Sequence, residues 1–193
     1  MSVKSLHQLP NEFYFCTFTC CQCINLFEIT DTYSEVYNWF GIAEKKNFHI
    51  CAYVIMPNHL HFIISTPSKN ADLNTLVSNA KRFMAYEIVA RLKSAGNFDV
   101  LNKLSNEVSP SDRKRGKLHQ VFEPSFDARK ILSEEMLIQK INYIHHNPVK
   151  GIWKLADDFI LYPHSSAAFY ETGKQGLFNI IHYEKIIEGE RGL

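Results

Sequence analysis

Two apolar, β-branched and aromatic runs, His49–Met56 and His59–Ser65, are separated only by Pro57-Asn58. Proline and asparagine serve as turn centres, so runs this close in sequence read as an antiparallel hairpin. Upstream, residues 13–20 (FYFCTFTC) alternate aromatic and β-branched side chains and read as another strand. Helical spacing flanks the hairpin on both sides. Tyr33, Val36, Tyr37, Phe40, Ile42 and Ala43 recur through residues 32–46 behind an Asp31 cap. Leu73, Leu76, Val77, Ala80, Phe83, Met84 and Ile88 recur through residues 72–92, with Gly96 as the stop.

Further along, residues 121–132 read as one more strand. Ser133-Glu134-Glu135-Met136 then opens a helix with a serine cap and early carboxylates. Asn147-Pro148 closes that helix, because a residue before proline is pushed out of the α region. Residues 94–117 form a polar excursion, and the chain from Gly151 is loop-rich. This order gives an α+β fold, an antiparallel sheet of four or five strands with helices packed on it. At 193 residues and 46% hydrophobic content, a single domain over 1–193 is expected. A chain of this size buries roughly 70% of its unfolded surface without disulfide or metal staples.

Charge alone names no partner, since 21 Lys and Arg against 20 Asp and Glu leave a net of +1. The apolar stretches are interrupted well before the ~18 residues that a membrane span requires, so no membrane partner is expected. Residues 1–11 carry one lysine and no apolar segment of the signal-peptide kind, which predicts a cytoplasmic protein. The five cysteines, Cys16, Cys20, Cys21, Cys23 and Cys51, are an odd number and are expected to be reduced. No second Cys-x-x-Cys pair follows Cys20-Cys21-Gln22-Cys23 at zinc-site spacing, so that cluster reads as structural.

Three features could carry chemistry. His59 and His61 stand two apart on a predicted strand, so both imidazoles leave one face while Leu60, Phe62 and Ile64 take the other. Such a pair can chelate a divalent ion, or it can be polar alternation on a solvated face. Tyr143 and Asn147 lie four apart near the end of a helix and share a face. The phenol could act as a nucleophile and the amide oxygen as a metal ligand, or Tyr143 could be a core aromatic. Basic residues form the third feature: Lys81-Arg82, Arg113-Lys114-Arg115, Lys117, Arg129-Lys130 and Lys150. Between Ser111 and Lys130 six basic residues stand against three acidic ones, a local net of +3 that could follow a phosphate backbone. Phe122, Phe126 and Trp153 could stack unpaired bases or belong to the core.

Taken together, MPNHLHFII, VFEPSFDARKI, NYIHHNPVKGIW and the Tyr162-Pro163-His164-Ser165-Ser166 stretch resemble the REP-associated tyrosine transposases, within the single-tyrosine HUH transposase superfamily. The resemblance spans about residues 10 to 170. It implies the ferredoxin-like or RRM-like palm of HUH nucleases. It also implies a bacterial host and single-stranded or hairpin DNA as partner, bound in part through Lys81, Arg82, Arg113, Lys114, Arg115, Arg129, Lys130 and Lys150.

By the same resemblance His59 and His61, with Asn147 as third ligand, would hold Mg²⁺ or Mn²⁺, and Tyr143 would attack the phosphate to form a covalent 5′-phosphotyrosine. A second 3′-OH could reverse that step and rejoin strands. His145 and His146 stay outside the catalytic set, as residues that interact with the helix end. Relatives include dimers that share the tyrosine helix, so a homodimer is allowed. Two other readings fit the same residues. One is a domesticated hairpin-binding protein that no longer cuts. The other is a metal-dependent phosphodiesterase that uses a metal-bound water, with Tyr143 structural.

Overall fold

The computed structural model describes residues 12–191 except 68, 70 and 71, so the signal-peptide expectation for residues 1–11 lies outside the described residues. Four strands form one antiparallel sheet: β1 (Phe13–Thr19), β2 (His49–Met56), β3 (His59–Ser65) and β4 (Asp127–Lys130). Their spatial order is β2-β3-β1-β4, which puts β3 and β1 at the centre. Helices cover both faces. Tyr14, Cys16 and Phe18 of β1 join Leu60, Phe62 and Ile64 of β3 in a core closed by two helices, α2 (Tyr33–Glu44) and α3 (Leu73–Ser94). There the rings of Phe18, Trp39, Phe40 and Phe62 meet with centroids 5.2 to 6.5 Å apart. Mostly tilted or edge-on pairs of this kind add about 0.5–1.5 kcal/mol each beyond area burial.

The opposite face is closed by α6 (Glu134–His146), whose Leu137, Ile141 and Ile144 pack on Phe15, Val54 and Ile63. A bulge between Ile50 and Ala52 lets Cys51 and Ala52 both join this second core, after which β2 resumes its alternation. The α+β class and the antiparallel sheet expected from the sequence are therefore present, and the hairpin strands have the expected limits. All five cysteines are thiols, with Cys23 exposed and the others buried. No helix among the described residues is long and apolar enough to cross a membrane.

Several expectations need correction. The cap of α2 is Thr32, while Asp31 sits before it at φ 50 in the left-handed region that Asp tolerates. The strand expected over residues 121–132 shrinks to β4, because Pro124 has no N–H to donate; ahead of it Phe122 makes only an isolated bridge to Cys20. The stretch 94–117, expected as a polar excursion, is largely helical. It contains α4 (Phe98–Asn106) and α5 (Pro110–Lys114), capped by the side chains of Asn97 and Ser109, and buries Leu101, Leu104 and Val108. Beyond Gly151 the chain forms α7 (Ala167–Thr172) and α8 (Tyr183–Arg191), and Tyr183 with Ile186 and Ile187 reaches the second core. A four-residue helix, α1 (Leu26–Ile29), precedes α2.

The segment around Ser165 runs beside β2: Ile55 N–H donates to the His164 carbonyl at 2.8 Å, and Ser166 N–H donates to the Tyr53 carbonyl at 3.0 Å. The Ser166 hydroxyl accepts from Tyr53 N–H at 2.9 Å and lies 2.9 Å from Nε2 of buried His145. His145 is thus a buttress between α6 and the C-terminal segment. Ser166→Ala strips a partner from two buried groups at once, and we expect it to lower stability by about 1–3 kcal/mol in urea unfolding. An unchanged midpoint would mean that this link carries no stability.

Candidate active site

Alternation along β3 sends His59 and His61 to the α6 side of the sheet, paired across the β1 ladder with Thr19 and Thr17. His61 is only 7% exposed, so the solvated-face reading of the His-x-His pair does not describe it. The two imidazole centroids are 4.7 Å apart. On α6 the inward face carries the apolar residues, and the adjoining face brings Tyr143 to the histidines, with its ring 5.3 Å from that of His61. Phe15 stacks on His61 at 5.6 Å and meets Tyr143 edge-on at 5.9 Å. Trp153 lies 6.2 Å from His59. Asn147, at the end of α6, hydrogen-bonds His59 through its side chain. The four residues expected to carry the chemistry therefore converge from β3 and α6.

Second partners orient the rings. Asn58 donates its amide N–H to the Cys23 carbonyl at 2.9 Å, which turns its Oδ1 toward Nδ1 of His59 at 2.6 Å. Since that oxygen only accepts, His59 carries its proton on Nδ1 and keeps the Nε2 lone pair. Nδ1 of His61 lies 2.6 Å from the Thr17 hydroxyl, and this hydrogen bond fixes the orientation of the ring. Burial pushes the His59 imidazole down to about 4, against a smaller opposing effect of the Asn147 hydrogen bond. His61 is pushed to about 3 by burial, with further contributions from His59 and Lys140. Both rings are neutral at pH 7, the state a metal ligand requires.

Among the described residues no three His, Cys, Asp or Glu side chains form a metal-binding group. The donor set on offer is instead two neutral imidazoles and one amide, which suits a divalent ion with open positions for phosphate oxygens. Tyr143 is 46% exposed, so the core-aromatic reading does not describe it.

Sequence reasoning missed four contributors. Asn58 read only as a turn residue, although its adjacency to His59 was visible. Thr17 and Phe15 lie more than 40 positions from His61 and are joined to the site only by strand register. Lys140 stands one helical turn before Tyr143, with its ammonium 5.9 Å from that ring.

Only some of the basic residues line one groove. Lys81, Arg82 and Arg115 line a groove of about 770 Å³ between α3 and residues 115–124, together with Lys93 and Lys117 and the ring of Tyr86. Arg113 donates to the Ser105 carbonyl, while Lys114 and Lys150 are exposed and do not line the groove. On β4, Arg129 pairs with Asp127 at 2.9 Å and Lys130 with Glu12 at 2.6 Å. Phe122 is core and Phe126 packs against it. His146 stacks on Phe159 and bonds the Asn142 carbonyl, as a helix-end residue does.

His145 is likewise held down to about 3 by burial. Each of these three histidines has a folded pKa below its ordinary 6.5, so the unfolded chain binds more protons between those values. Their contribution is complete above pH 6.5 and is lost as pH falls toward the folded values. We expect the urea midpoint of metal-free protein to be level at neutral pH and to drop steadily below pH 6.5. A midpoint unchanged down to pH 5 would show that these rings are not desolvated.

No family model and no curated protein matches the sequence. Among solved structures, the chain is similar to a REP-associated tyrosine transposase solved bound to a REP hairpin, at 18% identity and TM-score 0.58, over 93% of this chain and 89% of that one. A candidate transposase from Deinococcus radiodurans R1 overlaps less, at 17% identity and TM-score 0.40, over 74% of this chain and 95% of that one. From the sheet and its helices to the C-terminal segment, the chain shares the fold of the REP-associated tyrosine transposase.

Proposed function

We propose that this protein is a transposase, a single-stranded DNA nuclease and strand-transferase that acts at hairpin-flanked sites. The observation that carries this reading is the meeting of an exposed tyrosine with two neutral histidines, one buried and one partly buried, and an amide across β3 and α6. A plain hydrolase has no use for a half-exposed tyrosine whose ring centre lies 5.3 Å from that of an imidazole proposed to hold the metal.

His59, His61 and Asn147 would hold Mg²⁺ or Mn²⁺, whose charge polarises the scissile phosphate. The Tyr143 oxygen attacks phosphorus and gives its proton to water. The bond from phosphorus to tyrosine forms as the bond to the 3′-oxygen breaks, and that oxygen leaves as a 3′-OH after taking a proton. The 5′-phosphotyrosine retains the phosphodiester's energy, so attack by another 3′-OH rejoins strands and returns the phenol. The imidazoles hold their geometry through Asn58 and Thr17, and Phe15 keeps Tyr143 beside them. The groove along α3 supplies the basic surface on which a DNA backbone would lie, with Tyr86 as a stacking ring.

Mixing the protein with labelled single-stranded hairpins carrying randomised flanks, and with Mg²⁺ or Mn²⁺, should give protein-linked DNA on denaturing electrophoresis. Tyr143→Phe should bind equally and give none. Protein-free cleavage products that persist in Tyr143→Phe would point to a phosphodiesterase. Binding without any cleavage would point to a domesticated hairpin binder. In the groove, Arg82→Ala with Arg115→Ala should weaken hairpin binding similarly across sequences and flatten its salt dependence by about two phosphate contacts. Unchanged affinity would place the DNA on another surface.

A further inference from the structure

Lys140 has no part in the chemistry described so far, yet it stands beside the nucleophile. It precedes Tyr143 by three residues, so the two side chains are neighbours on the surface of α6. Its ammonium nitrogen lies 5.0 Å from the centre of the Phe15 ring and 5.9 Å from that of Tyr143. Contacts between a cation and an aromatic ring are favourable, and two of them hold a flexible side chain over the site instead of leaving it in solvent. Lys140 is half-buried, and among the described residues no carboxylate neutralises it. The cations of β4 differ in this respect, because Asp127 and Glu12 already satisfy Arg129 and Lys130.

Resting on the strand-transfer reading above, we infer that Lys140 is a further catalytic residue, whose ammonium contacts a non-bridging oxygen of the phosphate attacked by Tyr143. In phosphoryl transfer the charge is spread over the equatorial oxygens, while the attacking phenol must shed its proton. A cation fixed at the nucleophile stabilises both changes and needs no reorganisation at the moment of reaction. His59 and His61 offer lone pairs and Asn147 a neutral amide, whereas Lys140 brings a positive charge to this point. No bond to the lysine forms or breaks.

The test uses the full chain with those hairpin oligonucleotides that wild type captures covalently. Single-turnover capture rate, hairpin affinity and urea midpoint are measured for wild type, Lys140→Gln, Lys140→Met and Lys140→Arg. Removing one preorganised charge donor should slow capture about 100-fold in the Gln and Met variants. Affinity should change by less than about threefold, so that the loss lies in the chemical step. Lys140→Arg should recover most of the rate, which a purely structural role would not predict. Should one neutral variant fail to fold, the other carries the comparison. Capture by a folded neutral variant within about threefold of wild type overturns the inference and leaves the strand-transfer reading standing. Weaker binding that accounts for the whole loss overturns it in the same way, as does an arginine variant that restores nothing. Wild type that binds hairpins and captures none overturns the strand-transfer reading and this inference with it.

Discussion

The antiparallel register between β1 and β3 determines which face of the sheet carries the two histidines. Thr17 faces His61 and Thr19 faces His59, so both imidazoles leave the sheet on the side that α6 covers. A slip of one residue would exchange the faces of the whole strand. Leu60 and Phe62 would then lie under the tyrosine helix, and the histidines would enter the aromatic core built by α2 and α3. Because helices close both faces, neither arrangement could be relieved by water. The register is therefore specified by two cores at once, and the site inherits its geometry from them.

That geometry has an energetic consequence. Neutral imidazoles in a dry setting are stable only while their polar atoms have partners. The site meets this requirement with short links to nearby backbone and side chains. Asn58 is fixed by the carbonyl of Cys23, which belongs to the 3₁₀ turn Cys21–Cys23 where Gln22 and Cys23 take φ values of 52 and 54. Non-glycine residues adopt that left-handed conformation at a cost, and here the turn delivers a carbonyl to the residue that sets a histidine tautomer. The cysteine-rich run thus serves the site through its backbone, while Cys20 and Cys21 fill the core with their side chains.

The sheet, its two long helices and the nucleophile helix were legible because each is marked by a period or a cap at short range. The hairpin strands matched residue for residue, and Ser133 caps α6 as its position suggested. What escaped was of two kinds. Residues 94–117 look polar because α4 and α5 are short and bury only a few side chains, so composition hid the caps at Asn97 and Ser109. The partners Thr17, Phe15 and Asn58 escaped because their roles arise from strand register and turn geometry, which no local pattern encodes. The basic residues show the opposite failure. Runs such as Arg129-Lys130 are conspicuous in sequence, yet Asp127 on the same strand pairs with the first and Glu12 with the second, while Lys93 joins the groove from the last turn of α3.

The pairing of residues 164–166 with β2 also bears on how the chain reaches this fold. Strand β2 lies at one margin of the sheet, and its outward carbonyls and N–H groups at Tyr53 and Ile55 are taken up by a segment more than 100 residues further along. During synthesis the hairpin is complete long before that segment emerges. Throughout this interval β2 is an open template for any other strand, and its apolar sequence is the kind that such pairing favours. Closing the margin requires a long-range contact, which is slow to form because the intervening chain must first be ordered. The segment 164–166 therefore covers a strand margin that would otherwise be open to pairing with another chain.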